Sequence, residues 1–248
     1  FHHEKTPSFA INEGEQFYHC FGCQESGDVI KFVQEIESTD FMGAIRILAA
    51  RAKLTVPESS FDTEESQRKK KKRDTMAKIL LDSARFYLNN LYSGDDRADP
   101  HLEYIAKRGL APSTVKKFGL GASLDFDSLP KYLLGKGYAT EDLIDSGVVA
   151  RNDRGRLFDS QGGRLIFPII NAFDEVVGFG GRILQKGDYA KYKNTKETIL
   201  FDKSKTLYNV NLLKKLKREQ AISNVIIVEG YMDTISLYQA GFKNVVAS

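Results

Sequence analysis

Both cysteines of this chain lie in one Cys-Phe-Gly-Cys knuckle, Cys20 and Cys23, and His2 and His3 stand at the start of the sequence. A C-x-x-C turn aims two thiolates at one ion, and a structural zinc closes a tetrahedron of four Cys or His ligands. Neighbouring side chains on an extended segment point to opposite sides. The count is three ligands if one histidine joins and four only if both do; the alternation favours one, with a further ligand expected just before Phe1. Phe1 is not an ordinary initiator residue, so the start reads as a cut. A segment this short cannot build a large core, so the expected role of the metal is structural. His19 adjoins the knuckle and reads as a surface or supporting residue, not a ligand.

The surrounding pattern is strand, turn, strand, knuckle. Residues 7–11 and 16–19 are strand-like, joined at Asn12-Glu-Gly14, which is the layout of a zinc ribbon. Asp28 and Asp40 then sit where N-caps belong, ahead of Val29, Phe32, Val33 and Ile36 and of Phe41, Ala44, Ile45 and Leu48 at helical spacing. This first unit is assigned to 1–56. Residues 57–75 are nearly devoid of apolar side chains and carry Arg68-Lys-Lys-Lys-Lys-Arg73, which reads as a basic linker or an exposed helix start.

Helical periodicity resumes at Met76, and short helices are expected near 102–107, 113–118, 129–134 and 141–144. The texture then turns to strand over Arg164–Ile170 and from Glu175 towards Leu184, with Asn171–Asp174 as the turn. A helix near 207–216 follows. Residues 222–248 read as β-α-β, with Val225–Val228 as a strand, Tyr231–Ala240 as a helix and Val245-Val246 as a second strand. The all-apolar first strand predicts burial on both faces, as in a parallel sheet. The fold class expected is α+β with an α/β end.

Glu229 stands where that strand meets its helix, and Asp233 lies four residues on. Function gathers at the carboxyl ends of parallel strands, and paired carboxylates there can hold Mg²⁺. The same residues also suit a simpler reading, with Asp233 complementing the helix dipole and Glu229 solvated. Arg182, Lys191, Lys193, Lys196 and Lys203 are interleaved with Tyr189, Tyr192, Asn194 and Phe201. Cations for phosphates and rings for stacking suit a single-stranded nucleic acid; a solvated polar loop is the plainer alternative. Gly178-Phe-Gly-Gly181 lacks the spacing of a dinucleotide fingerprint and predicts close backbone approach or a bulge. The net charge, +3, does not by itself indicate nucleic-acid binding. No apolar run reaches membrane-span length, and two cysteines at metal spacing fit a reducing, cytoplasmic setting.

Taken together, Phe1–Phe9, His19-Cys-Phe-Gly-Cys23, Gly27–Phe32, Tyr104–Leu110, Arg164–Ile169, Gly178–Arg182, Lys191–Asn194, Leu207–Asn209 and Val228–Asp233 resemble, in order, the bacterial replicative DNA primases of the DnaG type. The resemblance implies a CHC2-type zinc ribbon, then the amino-terminal subdomain of the RNA polymerase domain over 76–221, then the start of a toprim fold over 222–248. It implies His2, Cys20 and Cys23 as zinc ligands, with His3 the variable residue beside them. It implies Glu229 and Asp233 as catalytic carboxylates, with Glu229 on Mg²⁺, for which Mn²⁺ can substitute. Arg182, Lys191, Asn194 and Lys203, joined by Arg164, are implied in template and nucleotide binding. The implied activity is synthesis of short RNA primers on single-stranded DNA from ribonucleoside triphosphates.

Asn194-Thr-Lys-Glu-Thr198 departs from the family's usual Asn-Ser-Pro-Glu-Thr. The family's Asp-x-Asp strand and its helicase-binding C-terminal domain are expected beyond Ser248, so this stretch alone is expected to be weakly active or inactive. A non-catalytic single-stranded DNA-binding module and a topoisomerase-like toprim enzyme are the alternative readings.

Overall fold

The computed structural model describes residues 2, 6–54, 64–185 and 190–248. His3, residues 57–63 of the expected linker and Tyr189 lie outside the described residues.

The amino-terminal unit is an antiparallel sheet in the order β1 (Phe9–Asn12), β2 (Phe17–Cys20), β3 (Ser26–Asp28). Two helices follow, each started by the expected aspartate. Asp28 accepts the Lys31 N–H at 2.8 Å at the head of α1 (Val29–Glu37), and Asp40 accepts the Gly43 N–H at 2.7 Å at the head of α2 (Phe41–Arg51). Each cap satisfies an N–H that has no partner inside the helix. Phe9, Tyr18 and Phe32 form a small aromatic core, with Tyr18 centred 5.4 Å from Phe9 and 5.5 Å from Phe32.

Of the two expectations for 57–75, a basic linker or an exposed helix start, the second holds from Glu64 on. Residues 64–75 belong to α3 (Glu64–Leu91), a single 28-residue helix. Lysine and arginine are good helix formers, so their run does not interrupt the helix. Met76, Ile79, Leu80, Tyr87 and Leu91 on its later turns are buried.

The remaining helices, α4 (Asp99–Lys107), α5 (Pro112–Phe118), α6 (Ser128–Gly135) and α7 (Thr140–Asp145), match the sequence expectation in place. They surround a four-stranded antiparallel sheet. Its order is β4 (Gly121–Ala122), β7 (Arg164–Ile170), β8 (Val176–Ile183), β9 (Tyr192–Asn194), while β5 (Val149–Arg151) and β6 (Leu157–Asp159) form a separate hairpin. Alternate residues of β7 serve opposite faces. Leu165 and Phe167 enter a core with Val115, Phe118, Tyr208, Ile235 and Val245. Ile166 enters a second core with Ile79, Leu80, Tyr87, Leu129 and Phe179. Full burial of a side chain such as Phe167 stabilises by about 1.5–3 kcal/mol. Pro168 is tolerated in this strand because β4 pairs only with Leu165 and Ile166, so no neighbour asks Pro168 for an N–H.

The last unit is α8 (Val210–Glu219), β10 (Ile226–Val228), α9 (Tyr231–Gln239) and β11 (Val245–Ala247), with β10 and β11 parallel. β10 is not covered on both faces: Ile227 is 67% exposed. Its apolar content reflects strand propensity rather than two packed layers. Tyr208 and Asn209 tie this unit to the rest. The backbone of Tyr208 exchanges hydrogen bonds with Ala247, and the Asn209 amide donates to the Val245 carbonyl at 2.8 Å.

Candidate nucleic-acid and metal sites

β2 delivers Cys20 at its end, and the following turn folds back tightly. The Cys20 carbonyl accepts the Gln24 N–H at 2.7 Å, and the Cys20 N–H donates to Glu25 at 2.8 Å. Donor atoms of His2, Cys20 and Cys23 all lie within 4.8 Å of one another, with His2 Nδ1 3.6 Å from Cys20 Sγ. A tetrahedral zinc with bonds of about 2.0–2.3 Å places its ligand atoms roughly 3.5–3.8 Å apart, so the three side chains fit the ion. Burial alone would raise the Cys20 thiol pKa. N–H groups of Cys23 and Gly22 and the Ser8 hydroxyl outweigh that and hold it below its ordinary value, which favours the thiolate a metal needs. Gly22 leaves room for this arrangement: a Cβ there would stand 2.5 Å from His2 Nε2 and push the imidazole aside.

The basic segment is organised by β8 and β9. Arg182 and Tyr192 are register partners across these strands, and Arg182 Nη1 donates to the Tyr192 hydroxyl. The guanidinium also lies 4.5 Å from the ring centre of Tyr104 on α4 and 5.1 Å from that of Tyr192. It is held between two aromatic faces by cation–π attraction, and its Nε is buried with no hydrogen-bond partner among the described residues. Arg108 joins from the end of α4, donating to the Tyr104 hydroxyl at 2.9 Å with its guanidinium 5.3 Å from that ring. Arg108 and Tyr104 were not singled out as site residues from sequence. Their i, i+4 spacing on an expected helix was the available signal.

Lys191, Lys193, Lys196 and Lys203 are exposed, and Lys193 Nζ donates to the Ser160 carbonyl at 2.8 Å. Arg164 is placed differently from these lysines. It is only 8% exposed, and its Nη1 donates to the carbonyls of Gly181 at 3.2 Å and Ala190 at 3.1 Å. Its guanidinium ties β7 to Gly181 of β8 and to Ala190 instead of facing solvent.

Glu229 and Asp233 flank the β10–α9 turn, and both are exposed. Asp233 Oδ2 leans back to within 3.0 Å of where a Cβ on Gly230 would stand. Tyr231, between the two carboxylates, bolts this turn onto the basic sheet. Its hydroxyl donates to Asn194 Oδ1 at 2.8 Å. Its ring stacks on Phe167 at 5.4 Å and meets Tyr208 at 4.7 Å and Tyr192 at 6.3 Å. Burial pushes the phenol up to about 12, so it remains a donor at neutral pH. Gly180 makes the approach possible, since a Cβ there would collide with the Tyr231 ring. The glycines of β8 thus give the close approach expected of them. The aromatic–cation track and the carboxylate turn are brought together; the zinc knuckle is a separate centre.

Comparison with known proteins gives three family matches in chain order. They are the CHC2 zinc finger over residues 1–64, the DNA primase catalytic core N-terminal domain over 86–214, and the Toprim domain over 223–248. The DNA primase of Clostridium acetobutylicum is 37% identical over 100% of this chain and 40% of its own length; that of Escherichia coli K12 is 36% identical over 100% and 42%. The chain therefore spans about 40% of the length of these curated relatives. The Aquifex aeolicus primase structure, comprising zinc-binding and RNA polymerase domains, matches 100% of this chain and 57% of its own at TM-score 0.64 and 29% identity. A DnaG primase catalytic domain bound to single-stranded DNA matches 71% of this chain and 56% of its own at TM-score 0.65 and 32% identity. Among the described residues, no helix is long and apolar enough to cross a membrane. The match to the catalytic core covers more than half of the chain, in a fold shared with solved primases, and the chain belongs to the bacterial DNA primase family of the DnaG type.

Proposed function

We propose that this chain supplies the template- and nucleotide-binding part of a cytoplasmic primase that builds RNA primers on single-stranded DNA. The observation that carries the reading is the Tyr231–Asn194 hydrogen bond. It sets the turn bearing Glu229 and Asp233 against a strand pair bearing Arg182, Tyr192 and Lys193, with Lys191 just ahead of it. Polyphosphate chemistry needs both halves, a cationic surface for the strand and carboxylates for the ion.

In this account Arg182 is pre-oriented by Tyr104 and Tyr192 and donates to a phosphate of the template. Lys191 and Lys203 add charge along the same path, and Asn194 holds Tyr231 and hence the carboxylate turn in register. Arg164 acts on that surface indirectly, through the carbonyls that it binds. Glu229, with Asp233 beside it, holds Mg²⁺, which when bound polarises the phosphates of an incoming ribonucleoside triphosphate. His2, Cys20 and Cys23 hold a structural zinc that fixes the amino-terminal unit, whose sheet engages template bases. A replicative helicase is the partner expected of the whole protein.

The test is Mg²⁺-dependent binding of a ribonucleoside triphosphate together with binding of a single-stranded oligonucleotide. Glu229→Gln is expected to weaken the first about tenfold or more and leave the second within about twofold, in line with one lost charge-assisted contact. Triphosphate binding that is indifferent to Mg²⁺ and to Glu229 would contradict the reading. Relaxation of supercoiled DNA would point to topoisomerase chemistry instead.

A further inference from the structure

We infer that the first turns of α3 form a second nucleic-acid contact, a rigid basic arm for the phosphodiester backbone of the DNA strand as it continues past the Arg182 track. Arg68, Lys69, Lys70, Lys71, Lys72 and Arg73 are six consecutive cations, all exposed, on one unbroken helix. They fall between the residues matched to the zinc finger and those matched to the catalytic core. The inference rests on the nucleic-acid reading above and adds a surface to it.

Charge is the first argument. The chain has 36 basic and 33 acidic side chains, so outside this run the balance is 30 to 33. The positive excess of the chain therefore lies in this run. Two of the six are neutralised locally, Lys69 by Glu65 at 2.7 Å and Lys72 by Asp145 at 2.6 Å. Arg68, Lys70, Lys71 and Arg73 make no ion pair among the described residues.

Geometry is the second. At about 100° per residue, six successive side chains encircle the helix instead of lining one face. A protein partner would want one face with an apolar centre, and lysine is depleted from such interfaces. Residues 67–74 contain no apolar side chain. Lys72 faces Asp145 of α7, and a flexible polyanion can follow the charges that point to the other sides.

Rigidity is the third. The helix continues without a break into buried Met76, Ile79, Leu80 and Tyr87, and the Tyr87 ring meets Phe179 of β8 at 5.3 Å. At 1.5 Å rise per residue, the run stands about 20–30 Å along the helix axis from Tyr87. A strand that covers both surfaces needs several nucleotides between them, since the spacing is about 3.4 Å per nucleotide even in duplex form.

The experiment measures affinity of the full chain for single-stranded oligonucleotides against salt concentration. Each phosphate contact adds about 0.7 to the slope of log affinity on log salt. On an oligonucleotide of about 30 nucleotides, the R68Q/K70Q/K71Q/R73Q variant is expected to lower that slope by about 2–3 and to bind at least about tenfold more weakly at low salt. The charge-conserving K70R/K71R variant is expected to keep the wild-type slope. Circular dichroism checks that the helix survives. An unchanged slope, with affinity within about twofold of wild type, would overturn the inference, as would poly-glutamate competing as well as DNA for the wild-type chain. Arg182→Gln on an oligonucleotide of about 8 nucleotides reads the track separately. Loss there, with no effect of the quadruple variant, leaves the proposed function standing and removes the arm.

Discussion

Tyr231 and Asn194 are 37 positions apart in sequence, and the tyrosine hydroxyl donates to the asparagine Oδ1 at 2.8 Å. That bond, with the ring seated over Gly180, fixes the carboxylate turn on the edge of the basic sheet. Tyr231→Phe keeps the stacking on Phe167 and removes only the hydroxyl. It is expected to cost about 0.5–1.5 kcal/mol in denaturant unfolding. Gly180→Ala displaces the ring itself and is expected to cost more, about 1–3 kcal/mol, and to weaken binding of DNA as well. Equal stability of Gly180→Ala and wild type would show that the ring does not sit there.

The zinc knuckle predicts local dependence on metal. Chelation, or Cys20→Ser, is expected to remove hydrogen-exchange protection from 9–51 while the cores around Phe167 and Ile166 keep theirs. Small metal-closed units fold with their ion, and binding free energy is folding free energy. Protection unchanged after complete chelation would contradict a structural zinc.

Asp159 predicts a pH signature. It is fully buried, and burial pushes its carboxyl pKa up to about 6 despite hydrogen bonds from Ser123 (2.6 Å), the Gln161 N–H (2.8 Å) and Tyr87 (2.8 Å). The folded value lies above the unfolded one, about 3.9. The folded state therefore holds its proton more tightly, and stability falls as pH rises from about 4 to about 6, then levels, a change on the order of 3 kcal/mol. In Asp159→Asn the new amide can donate to Ser123 Oγ, whose hydroxyl also reaches the Asp125 carbonyl at 3.1 Å. The stability of Asp159→Asn relative to wild type is expected to rise across that window. A constant difference from pH 4 to 7 would contradict the assignment.

Arg164 separates bracing from direct contact. Arg164→Met leaves the carbonyls of Gly181 and Ala190 without their donor. It is expected to cost about 1–3 kcal/mol of stability. Once folded, its salt slope for DNA is expected to equal that of wild type, because no phosphate contact is lost. A slope lower by about 0.7 would place Arg164 on the strand instead.

Local signals were legible in the sequence and pairings were not. Asp28 and Asp40 cap their helices as expected because capping is decided within three residues. Arg164–Ile170 is a strand as expected because its apolar run is continuous. β4 escaped notice: Gly121–Ala122 is a strand only by virtue of pairing with β7. The Arg68–Arg73 run left a linker and an exposed helix start both open, because a solvated helix and a linker share one polar composition. Ile227 shows the converse, since apolar content does not say how many faces a strand has covered. At the site, residue types left Arg182, Asn194 and Glu229 open between a binding surface and a solvated one, and the family resemblance singled them out. The Tyr104–Arg182–Tyr192 sandwich and the Tyr231 bolt exist only in three dimensions.

The central claim is that the Arg182 track holds single-stranded DNA beside the carboxylate turn. Fluorescence anisotropy with a labelled oligonucleotide tests it most directly, comparing wild type with Arg182→Gln in the zinc-loaded full chain. The account predicts a loss of about 1.5–3 kcal/mol, tenfold or more in Kd, with a salt slope shallower by about 0.7. An affinity within about twofold of wild type, on an unchanged slope, would contradict it.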